Sequence, residues 1–194
     1  RVLELSEIPR VIEDYRKAAR NAVEAGFDGV EIHAANGYLI DQFLRDGANR
    51  RTDAYGGSIE NRIRFMREVV EAVTEVWGAD RVGIRLSPFS NANNISDSDP
   101  MPLFEHAVDI LNGFGLAYLH MVEGQTGGPR ELAEGQSIEA LRARFDGVYM
   151  ANNGYSRDLA IETVENGKAD LVAFGRPYIA NPDLPERFRV NAPL

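Results

Sequence analysis

The stretch Gly26-Phe27-Asp28-Gly29-Val30-Glu31-Ile32-His33-Ala34-Ala35-Asn36-Gly37-Tyr38 decides the fold, because it joins a helix stop, a short strand and a polar cluster at the strand's end. Upstream, Ile8, Val11, Ile12, Tyr15, Ala18, Ala19, Ala22 and Ala25 recur at three- and four-residue steps, which is the spacing of one apolar helix face. Gly26 is placed to stop that helix. Residues 29–33 are β-compatible, and the polar loop after them runs through Tyr55-Gly56-Gly57. At the strand end, a histidine and an asparagine three apart can donate two hydrogen bonds to one ligand oxygen or ring. A tyrosine two residues further on can supply a proton.

The alternation continues along the chain. Ser58 reads as an N-cap, and Ile63, Phe65, Met66, Val69, Val70, Val73 and Val76 carry a second helix toward Trp77. Strands are then expected at 82–86, 117–122, 147–151 and 170–174, with helices near 102–111, 137–145 and 156–166. Repeated βα units with short buried strands predict a parallel sheet with right-handed crossovers. An open doubly wound sheet and a (β/α)8 TIM barrel both satisfy that description. The polar residues choose between them, because His33, Arg85, Asn153 and Arg176 lie at or just after the C-terminal ends of different strands. A barrel collects its chemistry from many strand ends at once. An open sheet uses one switch point, usually with G-x-G-x-x-G, and that motif does not occur here. A full barrel takes about 250 residues and eight units, whereas 194 residues give five, and five parallel strands leave two open edges and an uncovered interior.

Composition narrows the function classes. With 44% hydrophobic residues and a mean hydropathy of −0.30, a packed globular protein is expected. No apolar run reaches the roughly 18 residues of a membrane span, and the N-terminus has no secretory pattern, so a cytoplasmic location is expected. A net charge of −9 without a basic stripe argues against nucleic acid or an anionic membrane as a partner. The absence of cysteine removes disulfides and thiolate-held centres. Three histidines without suitably spaced carboxylates give no expected metal site.

Five blocks in order resemble the old yellow enzyme family of flavin-dependent ene-reductases: Gly26 to His33, Gln42-Phe43-Leu44, Arg51 to Arg62, Gly83 to Pro88, and Ala173 to Pro182. Together they cover nearly the whole chain, and Asn36 favours the classical branch. The resemblance implies that residues 1–194 are the C-terminal part of a single FMN-binding barrel domain, strands four to eight. The first three units would be disordered, cleaved or supplied in cis or by another chain. It further implies a non-covalent FMN, NADPH or NADH as reductant, and a small-molecule substrate reduced in the same pocket. The family's chemistry is reduction of activated alkenes in α,β-unsaturated carbonyls, maleimides, nitroalkenes or nitrate esters.

Carried onto this sequence, the resemblance makes His33 and Asn36 the pair that binds the substrate's electron-withdrawing oxygen. Tyr38 becomes the proton donor to the α-carbon. Phenols stack on the flavin of this family and give charge-transfer bands. Arg85, turned inward by strand alternation, needs an anionic partner. By resemblance that partner is the flavin's N1–C2 edge, and the alternative is a barrel carboxylate such as Glu31. Gly175 and Arg176 match the phosphate site, and Asn153 and Gly154 form its companion turn. His106 is read as a surface or interhelix residue and His120 as structural, near Glu123. Asp53, Tyr55, Glu60, Asn61 and Arg62 are read as loop-fixing and capping. The competing readings are another FMN barrel, such as a dienoyl-thioester reductase, and a non-catalytic barrel fragment.

Overall fold

The computed structural model describes residues 2–194. Five strands form one sheet: β1 Val30–Ala34, β2 Val82–Leu86, β3 Tyr118–Val122, β4 Tyr149–Asn152 and β5 Leu171–Ala173. All four pairings are parallel, and the order in space is β1-β2-β3-β4-β5. A doubly wound sheet reverses its order at a switch point. This one never reverses, so the units wind one way, as in part of a TIM barrel.

The helices follow the expected alternation. They are α1 Ile8–Glu24, α2 Leu39–Leu44, α3 Ile59–Trp77, α4 Pro100–Asn112, α5 Ile138–Arg142, α6 Arg157–Glu165, α7 Arg176–Ala180 and α8 Leu184–Val190. The Ser58 hydroxyl accepts from Asn61 N–H, and Ser137 and Ser156 cap α5 and α6 in the same way. Each satisfies one of the otherwise unpartnered first-turn donors.

Register sorts the strand residues onto two faces. Ile32, Ile84, Leu119 and Tyr149 are aligned across four strands, as are Ala34, Leu86, Met121 and Ala151. All eight are buried and belong to one core, together with Phe65, Met66, Val69 and Val70 of α3 and Phe104, Val108 and Leu111 of α4. The alternate residues carry the polar groups: Glu31, His33, Arg85, Tyr118, His120 and Asn152 fall on the opposite, concave face. Burying apolar area behind the sheet stabilises it, and the period of two turns the polar set inward.

Two loops are more ordered than their sequence suggests. The stretch after β1 contains α2, which at six residues is too short to show a helical period. Its Asp41 is fully buried and its neighbour Arg45 almost so. The polar segment 91–99 is held at both ends of its charge: Arg62 Nη1 donates to Asp97 Oδ2 at 2.6 Å and to Leu44 O at 2.6 Å, and Asp46 accepts from Ser98 N–H at 2.9 Å. Arg62 thus fixes loops, as expected. Asp53 accepts from Tyr55 N–H, and Asn61 donates to Gly56 O.

Candidate active site

All five C-terminal strand ends open on the same rim. The turn after β1 carries Asn36 at φ 59° and Gly37 at φ 73°. A Cβ on Gly37 would lie 2.7 Å from Ala92 O, so both the left-handed backbone and the close approach demand glycine. Beneath this turn, Asp41 accepts from Gly37 N–H at 2.9 Å and from Arg45 Nε at 3.0 Å. Arg45 also donates to Ser87 O. Ser87 Oγ accepts from Asn36 N–H at 2.7 Å. A buried ion pair therefore ties the turn to the end of β2. Burial raises the Asp41 carboxyl above its usual value despite the opposing charge of Arg45.

On top of this support the three expected chemical residues are neighbours. The His33 and Tyr38 rings are 5.3 Å apart. Tyr38 is 56% exposed. Burial, and then the Arg85 charge, lower the His33 imidazole below its ordinary value. At neutral pH the ring is neutral and has one N–H to donate.

Arg85 stands next to His33 in register and donates from Nη2 to Asn152 Oδ1 at 3.2 Å. Asn152 is oriented for this by donating its own amide to Ala173 O at 3.0 Å. The buried Nε of Arg85 has no hydrogen-bond partner. Burial lowers the guanidinium below its ordinary value, with Glu31 acting in the opposite sense from a distance. Glu31 is not its ion-pair partner. That carboxylate accepts from His120 Nδ1 at 2.8 Å, and the Tyr118 hydroxyl beside it is pushed up to about 12 by burial and by Glu31. His120, read from the sequence as structural and near Glu123, is paired with Glu31. Glu123 instead accepts from the hydroxyls of Tyr149 and Tyr155 and from Arg130.

Arg85 opens into a cavity of about 440 Å³ that is also lined by Asn153, Gly154, Gly175 and Arg176. The five expected cofactor residues are therefore gathered at one place. Asn153 and Gly154 have φ of 124° and 68°. The Asn153 side chain, however, is committed to the protein: its amide donates to Glu123 O at 2.7 Å and to Gln125 O at 2.8 Å. Arg176 Nη2 would lie 3.0 Å from a Cβ on Gly127, and Arg176 forms no ion pair with any described residue. The lining contains two arginines and no carboxylate, although the chain carries −9 overall. This distribution selects an anion.

Sequence reasoning missed the loop that roofs the cavity. Thr126, Gly127 and Gly128 also line it. The Gly127-Gly128 pair just after a strand was the available signal, since adjacent glycines mark close approach of backbone to a ligand. His106 lies between α3 and α4, beside Ile63 and Arg67, away from the rim.

A parallel barrel segment whose strand ends open on a cavity lined by arginines and free of carboxylates is the build of an enzyme that binds a phosphate-bearing cofactor. The chain belongs to the NADH:flavin oxidoreductase / NADH oxidase family, which it matches over residues 1–194. It is 52% identical, over its whole length, to 12-oxophytodienoate reductase 1 of Oryza sativa subsp. japonica, covering 52% of that protein. It is 51% identical to 12-oxophytodienoate reductase 7 of the same plant, covering 53% of it. Among solved structures it superposes on morphinone reductase in complex with tetrahydroNAD with a TM-score of 0.93 at 52% identity, covering all of this chain and 52% of that one. The old yellow enzyme homologue from Zymomonas mobilis gives a TM-score of 0.93 at 45% identity, with 100% and 55% covered. The chain therefore spans about half the length of the relatives it matches. Among the described residues, no helix is long and apolar enough to cross a membrane.

The residues present fit the FMN that the family implies. Arg85, with its unpartnered Nε, and Arg176, which forms no ion pair with any described residue, both line one cavity and are cationic donors suited to an electron-rich ring edge and a phosphate respectively.

Proposed function

We propose that this chain is the C-terminal part of one FMN-binding (β/α)8 barrel domain, strands four to eight, in an ene-reductase that uses NADPH or NADH. The remaining units would come in cis or from another chain. The observation that carries the reading is the cavity with two arginines and no carboxylate, whose Arg85 stands beside His33 in register and whose Thr126 is hydrogen-bonded to Asn36. Bound FMN would supply the hydride relay between reduced nicotinamide and the substrate's activated C=C bond.

This chain's own residues would do the rest. Arg176, with the backbone around Gly175, Gly154 and Asn153, would hold the phosphate. Arg85 would stabilise negative charge on the ring edge. His33, as a neutral donor, and Asn36 would bind the electron-withdrawing oxygen of an α,β-unsaturated carbonyl, maleimide, nitroalkene or nitrate ester, making the β-carbon electrophilic. Tyr38 would deliver the proton to the α-carbon. We take the substrate to be a small molecule and the location to be the cytoplasm, the latter testable by cell fractionation.

The test is a completed barrel, with this chain joined to the missing units. It should be yellow and, with air excluded, should turn over reduced nicotinamide beyond one equivalent only when cyclohexenone or a maleimide is present. A colourless protein, or a yellow one that leaves both compounds unreduced, would contradict the proposal.

A further inference from the structure

The backbone of Asn36 is gripped from both sides: its N–H donates to Ser87 Oγ at 2.7 Å, and its carbonyl accepts from Asn93 Nδ2 at 2.8 Å. What remains undetermined is which end of its amide faces out. A chain of hydroxyls supplies the answer. Ser90 is almost fully buried, and its Oγ accepts from the N–H groups of Ala92 and Thr126, both at 3.2 Å. Two acceptances use both lone pairs, so the single Ser90 hydrogen must be donated. Its partner is Thr126 Oγ1, at 2.7 Å. Thr126 has then received a hydrogen from Ser90 and donates its own to Asn36 Oδ1, at 2.8 Å. Turning the amide over would place N–H against Thr126, which would then accept from both Ser90 and Asn36 and leave its own hydrogen without its acceptor in the protein, since Ser90 has no lone pair left.

We infer that Thr126, ordered by Ser90, is a positioning residue that fixes Asn36 with its oxygen inward and its NH2 outward. The rim is thereby committed to ligand atoms that accept hydrogen bonds. Carbonyl, nitro and phenolate oxygens fit, whereas a group that can only donate, such as an amide N–H, does not. Thr126 lies on the loop that Asn153 holds from the other side, where Gly127 N–H donates to Asn153 Oδ1 at 3.1 Å. The inference rests on the proposed ligand role of Asn36.

The test is titration of the flavin-loaded, completed barrel with para-chlorophenol, followed by its long-wavelength band. Thr126→Val keeps the shape but cannot donate. It should weaken phenol binding roughly three- to tenfold, the range of a single neutral hydrogen bond, and Thr126→Ser should restore it. Ser90→Ala should weaken binding in the same direction. In an Asn36→Ala background, Thr126→Val should add nothing. Unchanged binding in Thr126→Val while Asn36→Ala binds weakly would overturn this inference and leave the ligand role of Asn36 standing. Unchanged binding in Asn36→Ala would overturn that role and the inference with it.

Discussion

The two ends of the rim are built differently. At the β1–β2 end every backbone group of the turn is held: Asn36 N–H by Ser87, Gly37 N–H by Asp41, and Asp41 by a buried arginine. At the β4–β5 end the strand is three residues long, Gly175 and Arg176 are exposed, and Arg176 has no carboxylate partner among the described residues. In the proposed roles the first end would aim two donors and a proton at particular atoms, and its geometry is fixed by the protein alone. The second end, as proposed, would take its contacts from a charged group that it binds. Precision is wired into the core, and affinity is left at the surface.

The largest expected effect follows from that wiring. Asp41→Ala leaves Arg45 buried and uncompensated, and breaking such a pair costs about 3–5 kcal/mol. Denaturant unfolding of the completed barrel would measure it, and a loss below about 1 kcal/mol, the scale of exposed pairs, would erase the distinction between the two ends. Next comes Tyr38→Phe. It should slow alkene reduction roughly a hundredfold or more while leaving flavin reduction by nicotinamide nearly unchanged. Stopped-flow traces separate the two halves, and equal slowing of both would remove the proton-donor role.

Arg176→Ala should change stability by less than about 0.5 kcal/mol, as an exposed substitution does. It should weaken FMN binding by roughly 1.5–3 kcal/mol, the value of a hydrogen bond to a charged group. Flavin titration set beside thermal unfolding would check both halves of that statement. The smallest effect is on pH dependence. His33 is lowered from its ordinary 6.5, so between its folded value and 6.5 the unfolded chain holds more protons. The stability contributed by the neutral ring is complete above 6.5 and is lost as pH falls toward the folded value. Replacing His33 by Gln should flatten that small slope, and an unaltered slope would mean that another group causes it.

The fold was largely legible in the sequence, because each βα unit advertises itself locally. Residues 82–86 were expected as a strand and form one, and the helix expected at 102–111 occupies Pro100–Asn112. The strand-end positions of His33, Arg85, Asn153 and Arg176 were equally readable, since period-two alternation and parallel pairing place them together. The supports were not readable. Asp41 and Arg45 sit four apart on a helix too short to announce itself, and Arg62 meets Asp97 across 35 residues. Thr126 reaches Asn36 across 90, from a loop with no periodic signal. Nor did spacing predict that Glu31 would turn to His120 and leave Arg85 without an acid. Which of two carboxylates reaches a histidine is decided by strand register.

The central claim is that these strand ends form one side of a flavin site that needs further strands. The outer edges of β1 and β5 are unpaired among the described residues, and an unpaired edge invites association. The direct measurement is FMN titration of the 194-residue chain by absorbance, with light scattering, alone and again with the units that complete the barrel. Alone, the chain should be associated or poorly soluble and should bind FMN weakly or not at all. Completed, it should be yellow. A monomeric 194-residue chain that binds FMN tightly by itself would contradict the account.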